Sequence, residues 1–260
     1  MRALLVLALV FAPGLARAQS DCIALAANAP SVIPAAFAPE EGVAIRYLDH
    51  SMFALTLPDR LMAVTDYNGH IGNPETVPAV VTMNHYHDTH FTRTPDPRIP
   101  VVLPGWGTFG HPAAVDLDLG PLRVRNVTTD TRGPFGEGGE QDGNSIFIFE
   151  AEGLCIVHLG HLHQELSPAK RAMIGRVDVL MVPVDGGFTM SQEAMAAEIR
   201  ALHPRIVLPM HWFGPETLKG FLATMSAWPV EILAGPELVV TRDSLPEAPK
   251  IVLLTPALFP

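Results

Sequence analysis

Histidines follow closely after three separate apolar segments that have the composition of buried β-strands. The segments are AVVTM (residues 79–83), LCIV (residues 154–157) and RIVLPM (residues 205–210). The histidines that follow them are His85, His87 and His90, then His158, His161 and His163, and finally His211. If the strands share a direction within one sandwich, their ends converge on one edge. Because zinc binds three or four imidazole or carboxylate ligands, this pattern predicts a metal site at that edge.

Two of these histidines are spaced so that they can reach one ion. His85 and His87 lie two residues apart, and such residues point to the same side of an extended chain. His90 is offset by three, so it reaches the same ion from the following turn or binds a second ion. The ends of the other two strands contribute His161 and His211. These five histidines are the predicted metal ligands.

The remaining histidines are interpreted differently. An isolated histidine is more often a surface residue or a hydrogen-bonded core residue than a ligand. Four histidines fall in this class: His50, His70, His111 and His203. The strand position of His158 favours a structural role, and the role of His163 stays open.

The order of segments predicts one domain over residues 43–260, preceded by an Ala- and Pro-rich arm over residues 19–42. Short β-type segments fill the first half of the domain, and the second half alternates apolar strands with helices. Pro168 and Pro215 are each predicted to open a helix. Thr189 and Gln192 fit a capping box for the helix between them. Strands in both halves and helices outside them indicate a layered fold.

The first 18 residues have the pattern of a secretory signal peptide. Met1-Arg2 supplies a positive start, the apolar run of residues 3–12 is too short to span a bilayer, and the sequence Ala-Arg-Ala precedes Gln19. Cleavage is predicted after Ala18. No later segment is long and apolar enough to span a membrane, so the pattern predicts a periplasmic or secreted protein.

The charge balance bears on the partners that we expect. Removal of residues 1–18 leaves 15 basic and 27 acidic residues, a net charge of −12. Such a surface repels phosphate backbones, so nucleic acid is not an expected partner, and a small-molecule substrate is.

The two cysteines allow two interpretations. Cys22 and Cys155 both remain after cleavage, and an exported protein can pair them. However, Cys155 lies in an apolar strand, where a lone cysteine usually packs as a small apolar side chain. The strand favours an unpaired Cys155, with a disulfide as the alternative.

Several motifs occur in the order found in a known family. VTMNHYHDTH (residues 81–90) resembles the signature H-x-H-x-D-H, and the segment ending in GHLH (residues 160–163) resembles one that usually ends in Gly-Asp-Leu-Gly-His. IVLPMHW (residues 206–212) resembles a closing strand with its last metal-binding histidine. Over residues 43–254 the chain resembles the metallo-β-lactamase fold superfamily. The resemblance implies an α/β (α+β) fold, a four-layer αββα sandwich, and a buried Asp66 that braces the histidine loop.

The chain departs from the family pattern at three places. Thr89 occupies the position of the signature's aspartate, and His161 replaces an aspartate that bridges two ions. The third histidine of the first metal would fall near residues 128–130, which are Thr128, Thr129 and Asp130. A carboxylate can bridge two ions, whereas a neutral imidazole has one free lone pair. A single-ion site is therefore the more economical interpretation.

Two alternative sets of ligands are possible for such a site. One set joins His161 and His211 with His90, and the other joins His85 and His87 with His161. Asp88 or Asp130 would complete either set. We expect one or two zinc ions, although a histidine-rich site also accepts iron, nickel or copper.

The resemblance implies metal-assisted hydrolysis, in which an ion activates water and polarises the scissile carbonyl or phosphoryl group. Asp88 is the first candidate for proton transfer and Asp185 the second, although Asp185 also fits a turn residue before two glycines. The alternative function is a non-catalytic metal- or ligand-binding protein on the same scaffold. The sequence does not select among the family's substrates.

Overall fold

A computed structural model describes residue 20 and residues 22–23, 41–85, 87–108, 110–133 and 139–258. The predicted signal peptide (residues 1–18) lies outside these residues, as does most of the predicted arm (residues 19–42).

The described residues form two sheets. The first has six strands in the spatial order β13 (Glu237–Val240), β1 (Val43–Asp49), β2 (Met52–Thr56), β3 (Met62–Val64), β4 (Val80–Met83) and β5 (Val101–Pro104). The second has eight strands in the order β12 (Val230–Ile232), β14 (Lys250–Leu253), β11 (Ile206–Met210), β10 (Val179–Pro183), β9 (Leu154–His158), β8 (Asn144–Ala151), β7 (Leu122–Thr129) and β6 (Asp116–Asp118).

The two sheets pack face to face across a shared core. Ile45 and Phe53 enter this core from the first sheet, and Phe147 and Met181 enter it from the second. Every residue of β8, β9, β10 and β11 is buried. A strand is buried along its whole length only when both faces of its sheet are covered, which explains why these segments are continuously apolar.

Three helices cover the outer face of the eight-stranded sheet. They are α1 (Pro168–Ile174), α2 (Gln192–Leu202) and α3 (Pro215–Thr224), and they pack on it through residues that include Ile174, Ile199 and Phe221. Each is too short to cross a bilayer, and within the described chain no helix combines the required length and apolarity.

The predicted sandwich is confirmed. Its two outer layers differ, because helices cover the eight-stranded sheet and loops cover the six-stranded sheet. In the part of the chain that the structure describes, loop residues such as Ile71, Phe91 and Ile99 cover that sheet, and no helix packs there.

Two helix starts are confirmed and one capping residue is corrected. The helices α1 and α3 begin at Pro168 and Pro215 as predicted. The residue that caps α2 is Ser191, whose side chain accepts a hydrogen bond from the Ala194 N–H. Thr189 was the wrong choice because its hydroxyl donates to Asp185 instead.

The strand directions bring the predicted site together. β10 pairs in parallel with both β9 and β11, so the carboxyl ends of these three strands lie at one edge. The backbone N–H of His211, just after β11, donates to the carbonyl of His50, just after β1, at 2.8 Å. This contact joins the two sheets at that edge.

A disulfide joins Cys22 to Cys155, with their Cα atoms 5.8 Å apart. The interpretation of Cys155 as an unpaired cysteine was therefore wrong. The carbonyl of Cys22 accepts a hydrogen bond from the Arg176 N–H, and the hydroxyl of Ser20 donates to the carboxylate of Glu150. These contacts hold the N-terminal segment against β8 and β9, which brings Cys22 within reach of the strand.

We predict that the double substitution Cys22→Ala/Cys155→Ala lowers the free energy of unfolding by about 2–4 kcal/mol, because the disulfide closes a loop over 133 positions. Urea denaturation of a protein that comprises residues 19–260 measures the change. A reductant should produce a similar loss in the wild-type protein and no further loss in the variant. Equal midpoints for the two proteins under oxidising conditions would contradict the pairing.

Candidate metal centre

Four histidines offer one ring nitrogen each to a common space. They are His50, His87, His90 and His211, and the four nitrogens all lie within 4.8 Å of one another. His50 follows β1, His87 and His90 lie on the loop after β4, and His211 follows β11. His90 and His211 are buried and the other two are half-buried. The site therefore joins the ends of strands from both sheets.

His90 is held from behind by a buried carboxylate. Its Nδ1 lies 2.5 Å from Oδ2 of Asp66, and Oδ1 of Asp66 accepts a hydrogen bond from the Asn84 amide at 2.8 Å. With Nδ1 donating to the carboxylate, Nε2 carries the lone pair on the side of the group. The bracing role that the resemblance implied for Asp66 is confirmed by this contact.

His211 has the same arrangement with a second carboxylate. Its Nδ1 lies 3.0 Å from Oδ1 of Asp185, and its Nε2 lies 3.1 Å from Nε2 of His90. Oδ2 of Asp185 accepts hydrogen bonds from the backbone N–H groups of residues 187, 188 and 189. The carboxylate therefore fixes a turn and orients His211 at the same time.

The other two histidines make contacts of a different kind. Nδ1 of His87 lies 2.7 Å from the hydroxyl of Thr89, which stands where the family signature has aspartate. The ring of His50 packs on that of His211 with centroids 4.0 Å apart. Nε2 of His50 is buried and has no hydrogen-bond partner among the described residues. A buried nitrogen of this kind is costly unless a ligand binds it.

Three residues of the site have a backbone conformation that residues other than glycine rarely adopt. The φ angles are 43° at His50, 43° at Asp66 and 60° at His211. Such angles cost free energy and persist where the surrounding contacts determine them, which happens often at functional sites. Each of these residues lies at or shortly after a strand end, and the turn there places the side chains of His50 and His211 in the group and that of Asp66 behind His90.

The surroundings favour neutral imidazoles. Burial, and then repulsion from His211 and His87, lowers the pKa of His50 to about 3. Burial also lowers the pKa of His87, and it places that of His90 well below the ordinary histidine value. Burial by itself would raise the pKa of Asp185, but the hydrogen bonds from His211 and Thr189 outweigh it and lower that pKa. Burial raises the pKa of Asp66, the carboxyl group behind His90. Metal binds to imidazoles in their neutral form.

The donor set fits a single transition-metal ion. Zinc–nitrogen bonds of about 2.0–2.1 Å in a tetrahedron place two ligand nitrogens about 3.3–3.4 Å apart. The separation of 3.1 Å between the Nε2 atoms of His90 and His211 is close to that value. Two nitrogen lone pairs at this distance repel each other unless a proton or a cation lies between them.

Three of the five predicted ligands belong to the group, namely His87, His90 and His211, and His85 does not. His85 is exposed, its Nδ1 lies 3.0 Å from a carboxylate oxygen of Glu140, and its ring packs on Trp106. The expected pairing of His85 with His87 assumed an extended chain. The strand ends at Met83, and the loop then turns so that the His90 N–H donates to the His87 carbonyl.

His161 lies beside the group without being one of its four members. Its ring centroid is 4.8 Å from that of His211 and 5.0 Å from that of His90. Its Nδ1 lies 2.7 Å from Nε2 of the half-buried His163. Gly160 precedes it with φ +60°, and a Cβ there would lie 2.4 Å from the Asn144 side chain, so this turn requires glycine.

His158 has the structural role that was predicted. Its Nε2 lies 2.8 Å from the carbonyl of Ser51, and its Nδ1 accepts the Gly160 N–H. Both ring nitrogens are therefore engaged by backbone, and none is left for an ion.

The predicted carboxylates lie at different places. Asp88 is exposed on the turn between His87 and His90. Asp185 lies behind His211, on the side of the ring away from the other histidines. Asp130 accepts the backbone N–H of Asp142 and is not part of the group. Catalytic roles for Asp88 and Asp185 stay predictions.

His50 is the member of the group that sequence reasoning missed. It directly follows β1, so it obeys the rule that identified the other candidates, namely a histidine at a strand end. It was placed among the isolated histidines because a lone histidine is more often a surface or core residue than a ligand.

Comparison with known proteins gives the family. Residues 44–211 match the model of the beta-lactamase superfamily domain, a stretch that contains all four histidines of the group. A UPF0173 metal-dependent hydrolase from Symbiobacterium thermophilum is 28% identical over 193 residues, which are 65% of this chain and 83% of that protein. A UPF0173 protein from Pyrococcus furiosus is 31% identical over 121 residues, 44% of this chain and 51% of that protein. The chain thus spans about half the length of this second relative.

Solved structures agree in fold. A protein from Thermotoga maritima, described as a Zn-dependent hydrolase of the metallo-beta-lactamase superfamily, is 26% identical, with a TM-score of 0.59 over 82% of this chain and 98% of that one. A protein from Parabacteroides distasonis, described as a metal-dependent hydrolase, has a TM-score of 0.58 over 82% of this chain and 94% of that one at 14% identity. The second likeness shows the fold alone. The chain belongs to the beta-lactamase superfamily and has the metallo-β-lactamase fold.

Proposed function

We propose that this protein is a zinc-dependent hydrolase of a small-molecule substrate. The observation that carries the proposal is the convergence of four histidine nitrogens, two of them on rings braced by carboxylates. The names of the relatives, which are metal-dependent or Zn-dependent hydrolases, support the same function.

The residues of the chain have separable tasks in this proposal. A bound zinc ion would supply Lewis-acid chemistry, activating water and polarising the group that is cleaved. Asp66 and Asp185 hold the rings of His90 and His211 in the tautomer that presents Nε2. Asp88 is exposed beside His87, close enough for its charge to act on that ring, and is our candidate for proton transfer.

A non-catalytic metal-binding protein is the second candidate, and one observation favours it. Four imidazoles can fill a tetrahedral zinc site, whereas catalytic zinc sites use three protein ligands and keep one position for water or substrate. X-ray absorption of the zinc-loaded protein separates the two. Three imidazoles and an oxygen at the zinc favour the hydrolase, and four imidazoles with no oxygen favour the binding protein.

We predict about one zinc ion per chain in protein purified without chelators, and its loss in His87→Ala and in His211→Ala. Each substitution removes one of four convergent nitrogens. Elemental analysis of the purified protein measures the ratio. His85→Ala is the matched control, since this neighbouring histidine faces Glu140, and it should keep the ion.

Other ratios of zinc ions to protein chains would contradict the proposed centre in different ways. Two ions per chain would mean that His161 or Asp88 helps to build a second site. A wild-type protein that takes up no zinc on titration, with an unchanged melting temperature, would refute the centre.

We predict that Asp66→Asn and Asp185→Asn each weaken zinc affinity by about 10- to 100-fold, because each carboxylate orients a ligand ring from behind. Competition with a chromophoric chelator measures the affinity. Asp96→Asn is a suitable control, since its carboxylate pairs with exposed Arg98 away from the group. If Asp66→Asn and Asp185→Asn bind zinc as tightly as the wild-type protein and the control do, the two carboxylates do not orient the ligand rings.

We also propose that the protein is exported to the periplasm or secreted. The signal-peptide pattern of residues 1–18 supports this, and so does the Cys22–Cys155 disulfide, because disulfides persist mainly in oxidising compartments.

Expression of the full chain in a Gram-negative host should yield a periplasmic protein whose N-terminus is Gln19. N-terminal mass spectrometry and thiol titration of the periplasmic fraction measure both features. An uncleaved protein that stays in the cytoplasm with two free thiols would contradict export.

A further inference from the structure

Two exposed phenylalanines lie against each other beside the metal centre. The side chains of Phe188 and Phe213 are each 59% exposed, and their ring centroids are 5.2 Å apart at an interplanar angle of 61°. A single exposed apolar residue is ordinary on a protein surface, but adjacent exposed aromatic rings beside a candidate site suggest a binding surface.

Phe213 connects this pair to the four histidines. Its ring centroid is 5.4 Å from that of His50 and 5.4 Å from that of His211. Phe188 lies on the far side of Phe213, on the turn that follows β10. The two rings therefore extend outward from the histidine group as a continuous apolar strip.

The turn that carries Phe188 is held firmly although its side chain is exposed. Oδ2 of Asp185 accepts the Phe188 N–H at 2.5 Å and the Gly187 N–H at 2.9 Å. The guanidinium of Arg132 donates to the carbonyls of Gly187 and Thr189, on either side of Phe188, at 2.6 and 2.5 Å. Asp185 also contacts the His211 ring, so one carboxylate holds both the turn that carries Phe188 and a histidine of the metal centre.

Phe213 is held by its neighbours in the chain. His211 is fixed by its backbone hydrogen bond to His50 and by Asp185, and α3 begins two residues after Phe213, at Pro215. Because the backbone that carries both rings is held in place, less conformational entropy is lost when a ligand binds to them.

We propose that Phe188 and Phe213 form an apolar subsite that binds the non-reacting part of the substrate while the scissile group lies at the four histidines. This inference rests on the proposed function and gives it a substrate class: a hydrolysable small molecule that carries an aromatic or extended apolar group. A flat ring can stack on Phe213 and meet the edge of Phe188, and such aromatic contacts add to the free energy of apolar burial.

Binding of two hydroxamates to the zinc-loaded mature protein tests the subsite. Hydroxamates bind zinc, and acetohydroxamate and benzohydroxamate differ in the group that would reach the two rings. Isothermal titration calorimetry gives both affinities without any need for turnover. We expect the wild-type protein to bind benzohydroxamate about tenfold more tightly than acetohydroxamate.

The variants isolate the contribution of the rings. In Phe188→Ala/Phe213→Ala the ratio of the two affinities should fall to about one to two, while the acetohydroxamate affinity stays near the wild-type value. Phe188→Leu/Phe213→Leu keeps apolar volume and should retain an intermediate ratio, which covers the case in which the alanine variant folds poorly. Ile232→Ala is the control, since Ile232 is 75% exposed on the edge strand β12, and should leave the ratio unchanged.

The outcomes separate the subsite from the metal centre. A full zinc load with the same affinity ratio in the wild-type protein and both phenylalanine variants would overturn the subsite and leave the metal centre intact. A wild-type protein that takes up no zinc would overturn the proposed function and the subsite together.

Discussion

The buried contact between Asp66 and His90 is the interaction on which the site depends most. It is tied to both sheets, because the side-chain amide of Asn84 donates to Asp66 through Nδ2 and accepts the Ser145 N–H of β8 through Oδ1 at 2.7 Å. Asp66 follows β3 and Asn84 follows β4, so a short chain of hydrogen bonds fixes the edge of one sheet to the other. His90 is positioned at the point where these contacts meet. A change at Asp66 would therefore alter the metal centre and the packing of the sheets at once.

The metal centre has a free-energy cost that the fold must offset. Burial removes water from the imidazoles, and the lone pairs of ring nitrogens that lie close together in the group repel each other. The two large cores, one between the sheets and one beneath the helices, supply the stabilisation that holds the histidines in this arrangement. An ion would convert the repulsion into bonding, and binding it would then stabilise the folded state further. The disulfide adds to this by joining Cys22 to β9.

The opposite faces of the site have different properties. On the side of the protein interior, the carboxylates of Asp66 and Asp185 hold two of the rings and the hydroxyl of Thr89 contacts a third. On the outer side, Phe213 and Phe188 lead from the histidines to solvent. A polar, rigid interior with an apolar entrance suits a reaction in which a polar bond is cleaved in a molecule that is otherwise apolar. Asp185 belongs to both sides, since one of its oxygens orients His211 and the other fixes the turn that carries Phe188.

The family resemblance implied the buried role of Asp66, and the sequence by itself determined the layered fold, the strands that end in histidine and the two helices that begin at proline. These follow from local patterns, because the apolar character of β9, β10 and β11 requires burial on both faces and proline fixes the first turn of a helix. Only the tertiary structure decided which histidines meet. The spacing of His85 and His87 predicts a shared ion only for an extended chain, and the loop after Met83 turns instead. His50 and His211 are far apart in sequence, and Cys22 and Cys155 are separated by 133 positions. Their contacts depend on how the sheets pack and how the chain turns at positive φ angles, which no local pattern specifies.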